Sequence, residues 1–416
     1  MTRSLVTRCG FTAVSALLAS IAVGEGRVNG YVSQAAVHTH DNAFFEADTG
    51  TSFNFRELGI NGSWQFSPQV RIAAQAVSRR LGDLDDGDPK LDFALLDYHF
   101  YSAESSNVGV RVGRTKNAYG IYNQTRDVPH ARPGVLVPQA IYFESIRDAL
   151  LSVDGVNFYA DAYRGAGEFA FEVYGGKRKV EGSVVENLMF QADTSGDFGT
   201  ADVLGGRIGF VPAAVPELEL AVSAIDVKME LEDVASFSPL EVGQAFLDIV
   251  ANPSTAGKYA TSATIEPFVQ LLSAQYSPQG WVLTAEYLRV DIDLTNVEIL
   301  GQPQPDNTTK LESYYLQAEW QLNDHLSLLS RYEYLTFDKT DRKGEVYQAT
   351  TGRNAFTQYT SGITLGGRWY FTPDMSLTAE YGVFEGAASL VGANSVNYDQ
   401  LDEDWEVFIL QFSFHF

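Results

Sequence analysis

Apolar and polar side chains alternate along most of the sequence, and the alternation is clearest in the last strand-like segment. From residue 408 onward one face of that segment is wholly apolar, and it consists of Phe408, Leu410, Phe412, Phe414 and Phe416. The same period of two recurs in residues 314–321, 326–334 and 363–371. Because successive side chains of a β-strand point to opposite faces, this period predicts strands with one apolar and one polar face.

Short and long connections alternate between these predicted strands. The short ones are tight turns at residues 67–69, 103–107, 165–167, 212–216, 278–280, 323–325 and 372–374. The long ones are polar stretches at residues 39–51, 82–90, 115–151, 177–200, 230–263, 294–310, 338–358 and 386–402. Short periplasmic turns, long extracellular loops and an even number of strands are typical of bacterial outer-membrane barrels. We therefore predict an all-β fold, a transmembrane antiparallel β-barrel of about sixteen strands.

The first residues indicate secretion. Arg3 and Arg8 precede an apolar run over residues 11–23, which is too short to span a bilayer as a helix. A basic start, a short apolar run and small residues after it are typical of a cleavable signal peptide. We predict a signal peptide over residues 1–24 and one barrel domain over residues 25–416. Cys9 is the only cysteine and lies before the apolar run, so we expect a mature chain without disulfides.

Acidic residues outnumber basic ones. The formal net charge is -24, and loss of Arg3 and Arg8 with the signal peptide makes it two units more negative. Such a charge disfavours binding to nucleic acid, whose phosphates repel an acidic surface.

In these features the sequence resembles the general porin family of Gram-negative bacteria, whose barrels have sixteen strands. The resemblance rests on the signal peptide, the alternation of turns and loops, the long third loop at 115–151, and Phe412, Phe414 and Phe416 in the last strand. It implies a water-filled outer-membrane channel for passive diffusion of ions and small polar solutes. It also implies that the third loop folds into the lumen, that the barrel assembly machinery recognises the last strand, and that the chain forms a homotrimer. An outer-membrane location implies contact with membrane lipid and lipopolysaccharide.

Strand parity assigns several charged side chains to the predicted lumen. If the apolar face of each strand faces lipid, Arg71 and Arg79 of the third strand and Arg111 of the fifth point inward. Other inward charges are Arg207, Arg331, Arg368, Glu57, Asp97, Asp161, Glu172, Glu319 and Glu380.

The third loop carries carboxylates that could oppose these arginines. They are Asp127, Glu144 and Asp148, and we expect them to form a pore constriction with Arg71, Arg79 and Arg111. Opposed charges across a narrow opening orient polar solutes and filter ions. The alternative is that these charges form a hydrated wall, paired with their neighbours and tuned for no solute.

Parity changes within the second predicted strand. Phe53 and Phe55 place the odd-numbered residues on the apolar face, whereas Leu58 and Ile60 place the even-numbered residues there. A β-bulge near Arg56 would reconcile the two.

Other candidate sites are weaker. Asp83, Asp85, Asp86 and Asp88 lie close enough in sequence to suggest a divalent cation, but their spacing departs from the helix-loop-helix calcium pattern. We predict a solvated acidic loop, with no metal, no cofactor and no catalytic residue. Two other functions stay open: a structural or adhesion barrel with a plugged lumen, and an outer-membrane hydrolase. The hydrolase would depend on His99, the only histidine in the middle of a strand, and no G-x-S-x-G motif accompanies it.

Overall fold

The computed structural model describes residues 26–46, 49–180, 182–190, 194–390 and 400–416. Within these residues sixteen long antiparallel strands form one sheet, in which β16 pairs with β1 and closes the barrel. The strands are β1 (Gly26–His40), β2 (Gly50–Gln65), β3 (Val70–Leu81), β4 (Asp86–Ala103), β5 (Ser106–Lys116), β6 (Ser152–Arg164), β7 (Gly167–Lys179), β8 (Thr200–Pro212), β9 (Leu218–Glu230), β10 (Ala260–Tyr276), β11 (Trp281–Ile299), β12 (Asn307–Asn323), β13 (Leu326–Thr336), β14 (Tyr359–Thr372), β15 (Met375–Glu385) and β16 (Asp404–His415). A two-residue strand, Gln302–Pro303, extends the β11–β12 hairpin. The predicted barrel is confirmed, whereas the predicted signal peptide and Cys9 lie outside the described residues.

The helices of the described residues all lie in the long loops. They are α1 (Arg147–Leu151), α2 (Gly182–Phe190), α3 (Pro239–Ala251) and α4 (Glu345–Thr351), with short 3-10 turns at Pro129–Ala131, Pro253–Tyr259, Ala355–Gln358 and Ala388–Leu390. A capping box begins α3, because Ser238 and Glu241 each accept a hydrogen bond from the other's backbone N–H. Among the helices in the described residues, none is long and apolar enough to cross a membrane.

The turns match the prediction better than the loops do. All seven predicted short turns join consecutive strands. Two predicted long loops are wrong in length, because β4 already begins at Asp86 and β11 continues to Ile299, which leaves only residues 82–85 and 300–306 between strands. Polar side chains at these strand ends, such as the outward Asp293 of β11, are exposed. A strand can therefore continue beyond its apolar part, so polarity alone does not mark where it ends.

The outer face of the barrel is apolar and carries aromatic side chains towards both ends of the strands. Near the short turns, Trp281 of β11 pairs with Trp320 of β12, and their rings stack 5.2 Å apart. Towards the long loops, Tyr287 pairs with Tyr314 in the same hairpin. An outward apolar band between aromatic girdles is the arrangement that a bilayer requires of a barrel.

The predicted bulge is present in β2. Between the pairs Ala35–Phe55 and Val37–Ser52, β2 contains one more residue than β1. As a consequence Phe53 is 68% exposed on the outside, whereas Phe55 is buried on the inside. The extra residue reverses the parity of the strand close to Arg56.

Part of the inner face is apolar, which the sequence rule did not anticipate. Towards the long loops, β8 to β12 turn apolar side chains inward, and Val203, Val227, Ile265, Val290 and Leu311 belong to one buried cluster. Residues of the segment between β5 and β6 pack against them. The rule that only outward side chains are apolar therefore fails for these strands, because buried chain covers part of their inner face.

Candidate functional site

The segment between β5 and β6, residues 117–151, lies across the interior of the barrel. Its residues make hydrogen bonds or ion pairs with side chains of β2, β3, β8, β9 and β11 to β15. Strands β3 and β11 are eight places apart in a ring of sixteen, so the segment reaches opposite walls. Ile141 and Tyr142, in its second half, have no exposed surface.

A buried charge cluster fixes the segment to β2 and β3. We call it the first cluster; it consists of Glu57, Arg79, Arg126, Arg132 and Glu144. Glu144 pairs with Arg79 through one carboxylate oxygen and accepts from Arg126 Nη2 at 2.9 Å through the other. Glu57 pairs with Arg132 through both oxygens and lies 3.5 Å from Arg79 Nε. Two wall residues and three segment residues thus form one network.

The charges of this cluster depend on one another. All five side chains are buried. Burial by itself raises the pKa of Glu144, but Arg79, Arg126 and Arg147 outweigh it and lower the pKa to about 2. Removing one partner of such a pair leaves an uncompensated buried charge and costs about 3–5 kcal/mol. The first cluster therefore stabilises the segment against the wall only while it is complete.

A second cluster fixes the segment to β4 and β5 through Asp92, Lys116, Asp127 and Arg147. Lys116 Nζ lies 2.9 Å from Asp92 Oδ2 and also pairs with Asp127. Arg147 Nε donates to Asp127 Oδ1 at 3.2 Å. Although burial raises the pKa of Asp127, Arg147 and Lys116 hold it well below its usual range. Asp127 therefore stays ionised between two cations.

On the opposite wall, side chains satisfy the backbone of the segment. Glu286 of β11 accepts from the backbone N–H of Ile121 at 3.0 Å and from the Tyr142 hydroxyl at 2.6 Å. Glu333 accepts from Ala140 N at 3.1 Å, and Glu380 accepts from Val135 N at 2.7 Å. A buried backbone N–H without a partner is costly, so these carboxylates allow irregular chain to lie inside the barrel.

Arg368 of β14 binds the segment differently from the other inward arginines. Its Nη2 donates to the backbone carbonyls of Arg132 at 2.9 Å and Gly134 at 3.2 Å. Within the described residues no carboxylate lies within ion-pairing distance of it, although Arg71, Arg79, Arg111, Arg207 and Arg331 each have one. Arg368 is buried, so its positive charge is held among carbonyl dipoles.

The structure divides the predicted constriction residues into two groups. Arg79 contacts the carboxylates of the segment, but Arg71 and Arg111 lie closer to the short turns and approach Asp97, at 2.8 Å and 3.9 Å. Arg111 also pairs with Glu172 at 3.2 Å and lies over the ring of Tyr159.

The three predicted carboxylates also differ. Asp127 and Glu144 are buried in the two clusters, whereas the side chain of Asp148 is 32% exposed beside Arg147 and Arg178. The single ring of opposed charge in the prediction is thus two buried clusters and a separate group around Asp97.

His130 lies at the edge of the segment and stacks on His415 of β16, with ring centroids 3.8 Å apart. Partial burial, together with His415, Arg368 and Arg132, lowers the pKa of His130 from 6.5 to about 4. If the segment is released, this pKa returns towards 6.5, so the released form binds a proton more readily. The docked form is therefore fully favoured above pH 6.5 and loses stability as the pH falls from 6.5 to about 4.

We expect acidification from pH 7 to pH 4.5 to lower the temperature at which the folded barrel loses its fast electrophoretic mobility. His130→Gln cannot gain this proton, so this temperature should differ less between pH 7 and pH 4.5 in the variant than in the parent. His325→Gln, in a short turn on the barrel surface, is the matched control. An equal pH dependence in parent and His130→Gln would refute the assignment.

The other candidates have ordinary partners. Asp85 pairs with Lys90 at 2.6 Å, and Asp86 accepts from the backbone N–H of Asp88 at 3.0 Å. Across the described residues no group of three or more histidine, cysteine, aspartate or glutamate side chains is arranged to hold a metal ion. His99 contacts Tyr159, Asn107 and Asp97.

The aromatic residues of the last strand face outward. Phe412, Phe414 and Phe416 are between 37% and 53% exposed. Phe416 exchanges two backbone hydrogen bonds with Gly30 of β1, at 3.0 Å and 3.1 Å. A Cβ atom on Gly30 would lie 2.6 Å from the Phe416 ring, so the ring covers a position that only glycine leaves open. These contacts complete the pairing that closes the barrel.

Several site residues were not predicted as such. Arg126 and Arg132 are charges in a loop, Lys116 is at the end of a strand, and Glu286 and Glu333 are polar positions among many on strand faces. Their roles depend on contacts across the barrel, at sequence separations such as 165 residues between Ile121 and Glu286. The local pattern contains no signal for such pairs.

Comparison with known proteins gives a family and a fold. The family model described as phosphate-selective porin O and P matches residues 40–387. Among solved structures, the barrel is similar to an anion-selective porin from Comamonas acidovorans, with 12% identity, a TM-score of 0.58 and coverage of 94% of this chain and 99% of that one. The trimer form of OmpT from Vibrio cholerae gives 12% identity, a TM-score of 0.56 and coverages of 94% and 99%. The outer membrane channel DcaP of Acinetobacter baumannii has 9% identity and a TM-score of 0.51, with coverage of 94% of this chain and 97% of that one. No curated protein sequence matches the chain.

Proposed function

The chain belongs to the family of phosphate-selective porins O and P, and we propose that residues 117–151 form the constriction of its channel. The protein is an outer-membrane channel for passive diffusion of ions and solutes. The observation that carries the proposal is the attachment of this segment to both walls of the barrel. A sixteen-stranded barrel encloses an aqueous lumen, so a segment fixed across it sets the width of the passage.

We further propose that the channel has low ion selectivity and no dedicated phosphate site, although the family description names phosphate. A phosphate site needs cationic side chains free to bind the anion. Here Arg71 and Arg111 share Asp97, Arg79 lies between Glu57 and Glu144, and Arg207 pairs with Glu219. These four arginines are therefore compensated by carboxylates and are not free to hold an anion, which suits small polar solutes and ions of both signs.

Planar-bilayer measurements under a salt gradient test this selectivity. The parent should conduct with a reversal potential near zero, and phosphate should not block its chloride current. Arg71→Gln with Arg111→Gln leaves Asp97 and Glu172 uncompensated, and should shift the reversal potential towards cation preference. A charge acting at 4 Å in a water-like medium contributes about 1 kcal/mol, which corresponds to about a fivefold change in the permeability ratio.

A matched control is Arg114→Gln. Arg114 is in the same strand as Arg111 but faces outward and pairs with Asp154. The Arg114→Gln variant should therefore have the same ion selectivity as the parent. A reversal potential of the double variant equal to that of the parent would contradict the proposed role of Arg71 and Arg111, and an absence of any conductance in the parent would favour a plugged structural or adhesion barrel.

We also propose a homotrimer with contacts to membrane lipid and lipopolysaccharide, and assembly through recognition of Phe412, Phe414 and Phe416. The trimer form of OmpT supports the oligomer. A second support is a groove on the outer face of β1 to β4, lined by small residues such as Gly62, Ala74 and Ala94. We retain residues 1–24 as the signal peptide and 25–416 as the barrel domain. The family consists of channels, and we propose no catalytic role for His99.

A further inference from the structure

A cavity of about 570 Å³ lies inside the barrel, between residues 117–151 and the long loops. One wall is formed by inward side chains of β9 to β12, namely Val227, Met229, Ile265, Val290, Ile292 and Leu311. Phe143 and Ile146 of the segment between β5 and β6 form another part of the lining. None of these residues belongs to the charge pairs of Arg71, Arg79, Arg111 and Arg207.

The cavity has the properties of a site for a small organic molecule. Such sites occupy about 300–1,000 Å³ and are lined mainly by apolar side chains with a few polar groups. Because Val227, Ile265 and Val290 point into the barrel, membrane lipid and a second copy of the chain cannot cover them from outside. Among the described residues the cavity lies on the side of the long loops, from which a solute can reach it.

The charge of the lining selects among such solutes. Asp338 and Asp341 line the cavity, and of the described lining residues they are the ones that carry charge. Asp338 Oδ1 accepts from Thr340 N at 2.8 Å and Thr340 Oγ1 at 2.7 Å, and Asp341 Oδ2 accepts from Tyr347 N at 2.8 Å. These bonds hold both carboxylates in place. Within the described residues neither has an ion-pair partner, and an organic cation would supply one.

We propose that this cavity binds small organic cations that carry an apolar, aromatic body, with the cationic group at Asp338 and Asp341. The apolar body replaces water against the inward side chains of β9 to β12, and the cation compensates the two carboxylates. The two carboxylates repel an anion of the same shape. The channel would therefore have an entrance site for amphiphilic cations that is separate from the constriction.

Three naphthalene probes with the same body and different charge test the proposal. They are 1-naphthylmethylammonium, 1-naphthylmethanol and 1-naphthoate, titrated by fluorescence against the protein in lipid nanodiscs, with empty nanodiscs as the blank. We expect the ammonium to bind most tightly and the carboxylate most weakly. Val227→Phe with Val290→Phe, which fills the cavity, should weaken binding of both the ammonium and the alcohol.

The charge is tested separately. Asp338→Asn with Asp341→Asn should weaken binding of the ammonium about tenfold and binding of the alcohol by less than about twofold. Asp83→Asn with Asp88→Asn removes the same charge from the β3–β4 hairpin and should change the binding of neither probe. Equal binding of ammonium and carboxylate, or unchanged affinity in the cavity-filling variant, would overturn the proposal. Because binding is read without current, this failure is distinguishable from a failure of the proposed conduction.

Discussion

Replacing Glu144 by alanine should raise the single-channel conductance severalfold. Glu144 is buried and compensates Arg79 of the wall and Arg126 of the segment. Its removal leaves the buried Arg126 without a carboxylate, and leaves Arg79 only the more distant Glu57 at 3.5 Å and Asp85 at 3.8 Å. Breaking such a buried pair costs about 3–5 kcal/mol. Undocking of the segment lets both cations reach water, so we expect residues 117–151 to leave the lumen for part of the time. Single-channel recording in planar bilayers measures the result.

Two variants separate release of the segment from a simple change of charge. Asp148→Asn removes one negative charge from the same segment at a partly exposed position, and should leave the conductance close to that of the parent. Arg79→Met with Glu144→Met replaces the pair by apolar side chains of similar length, which often preserves packing, and should conduct less than Glu144→Ala. A Glu144→Ala channel with the parent conductance would mean that the constriction lies elsewhere, provided that the variant barrel keeps its heat-modifiable mobility.

Deleting Phe416 should strongly reduce the amount of folded barrel in the outer membrane. The deletion removes two backbone hydrogen bonds to Gly30 and the ring that covers this glycine. Each backbone hydrogen bond contributes about 0.5–1.5 kcal/mol, and both belong to the β1–β16 pairing that closes the barrel. Loss of the proposed assembly signal adds to this effect. Heat-modifiable protein in isolated outer membranes measures the result.

A comparison of two substitutions separates closure from recognition. Phe416→Ala keeps the backbone bonds and removes only the ring, whereas Gly30→Ala keeps the ring in the sequence and displaces it from β1. If the ring is recognised during assembly, Phe416→Ala should reduce insertion more than Gly30→Ala does. Normal amounts of folded barrel after deletion of Phe416 would refute both roles of the residue.

The sequence by itself determined the barrel and its strand number. Period two in the strands and the alternation of turns with loops are local properties, and the seven turns lie where the pattern predicts them. The bulge near Arg56 was also predictable, because Phe53 and Leu58 require opposite parities, but it lies before Phe55, which therefore does not share the face of Phe53 as predicted. Local backbone geometry decides these features, and they do not depend on contacts between residues distant in sequence.

Strand parity also assigned most inward charges, such as Glu57, Arg79 and Arg331, to the correct face. Parity shows whether a side chain points inward or outward, but not its position along the barrel axis or its partner. Arg71 and Arg79 have the same parity in β3, yet one pairs with Asp97 near a short turn and the other with Glu144 of the segment.

Only the tertiary structure decided which charges meet inside the barrel and which inner surface is apolar. Glu286 and Ile121 are 165 residues apart in sequence and touch because residues 117–151 cross to the opposite wall. The same segment packs against part of the apolar inner surface around Val227 and Val290, which strand alternation alone assigns to a water-filled lumen. The physical reason is that alternation records whether a side chain faces in or out, whereas the environment inside the barrel depends on where a long irregular segment packs and on the buried carboxylates that satisfy its backbone.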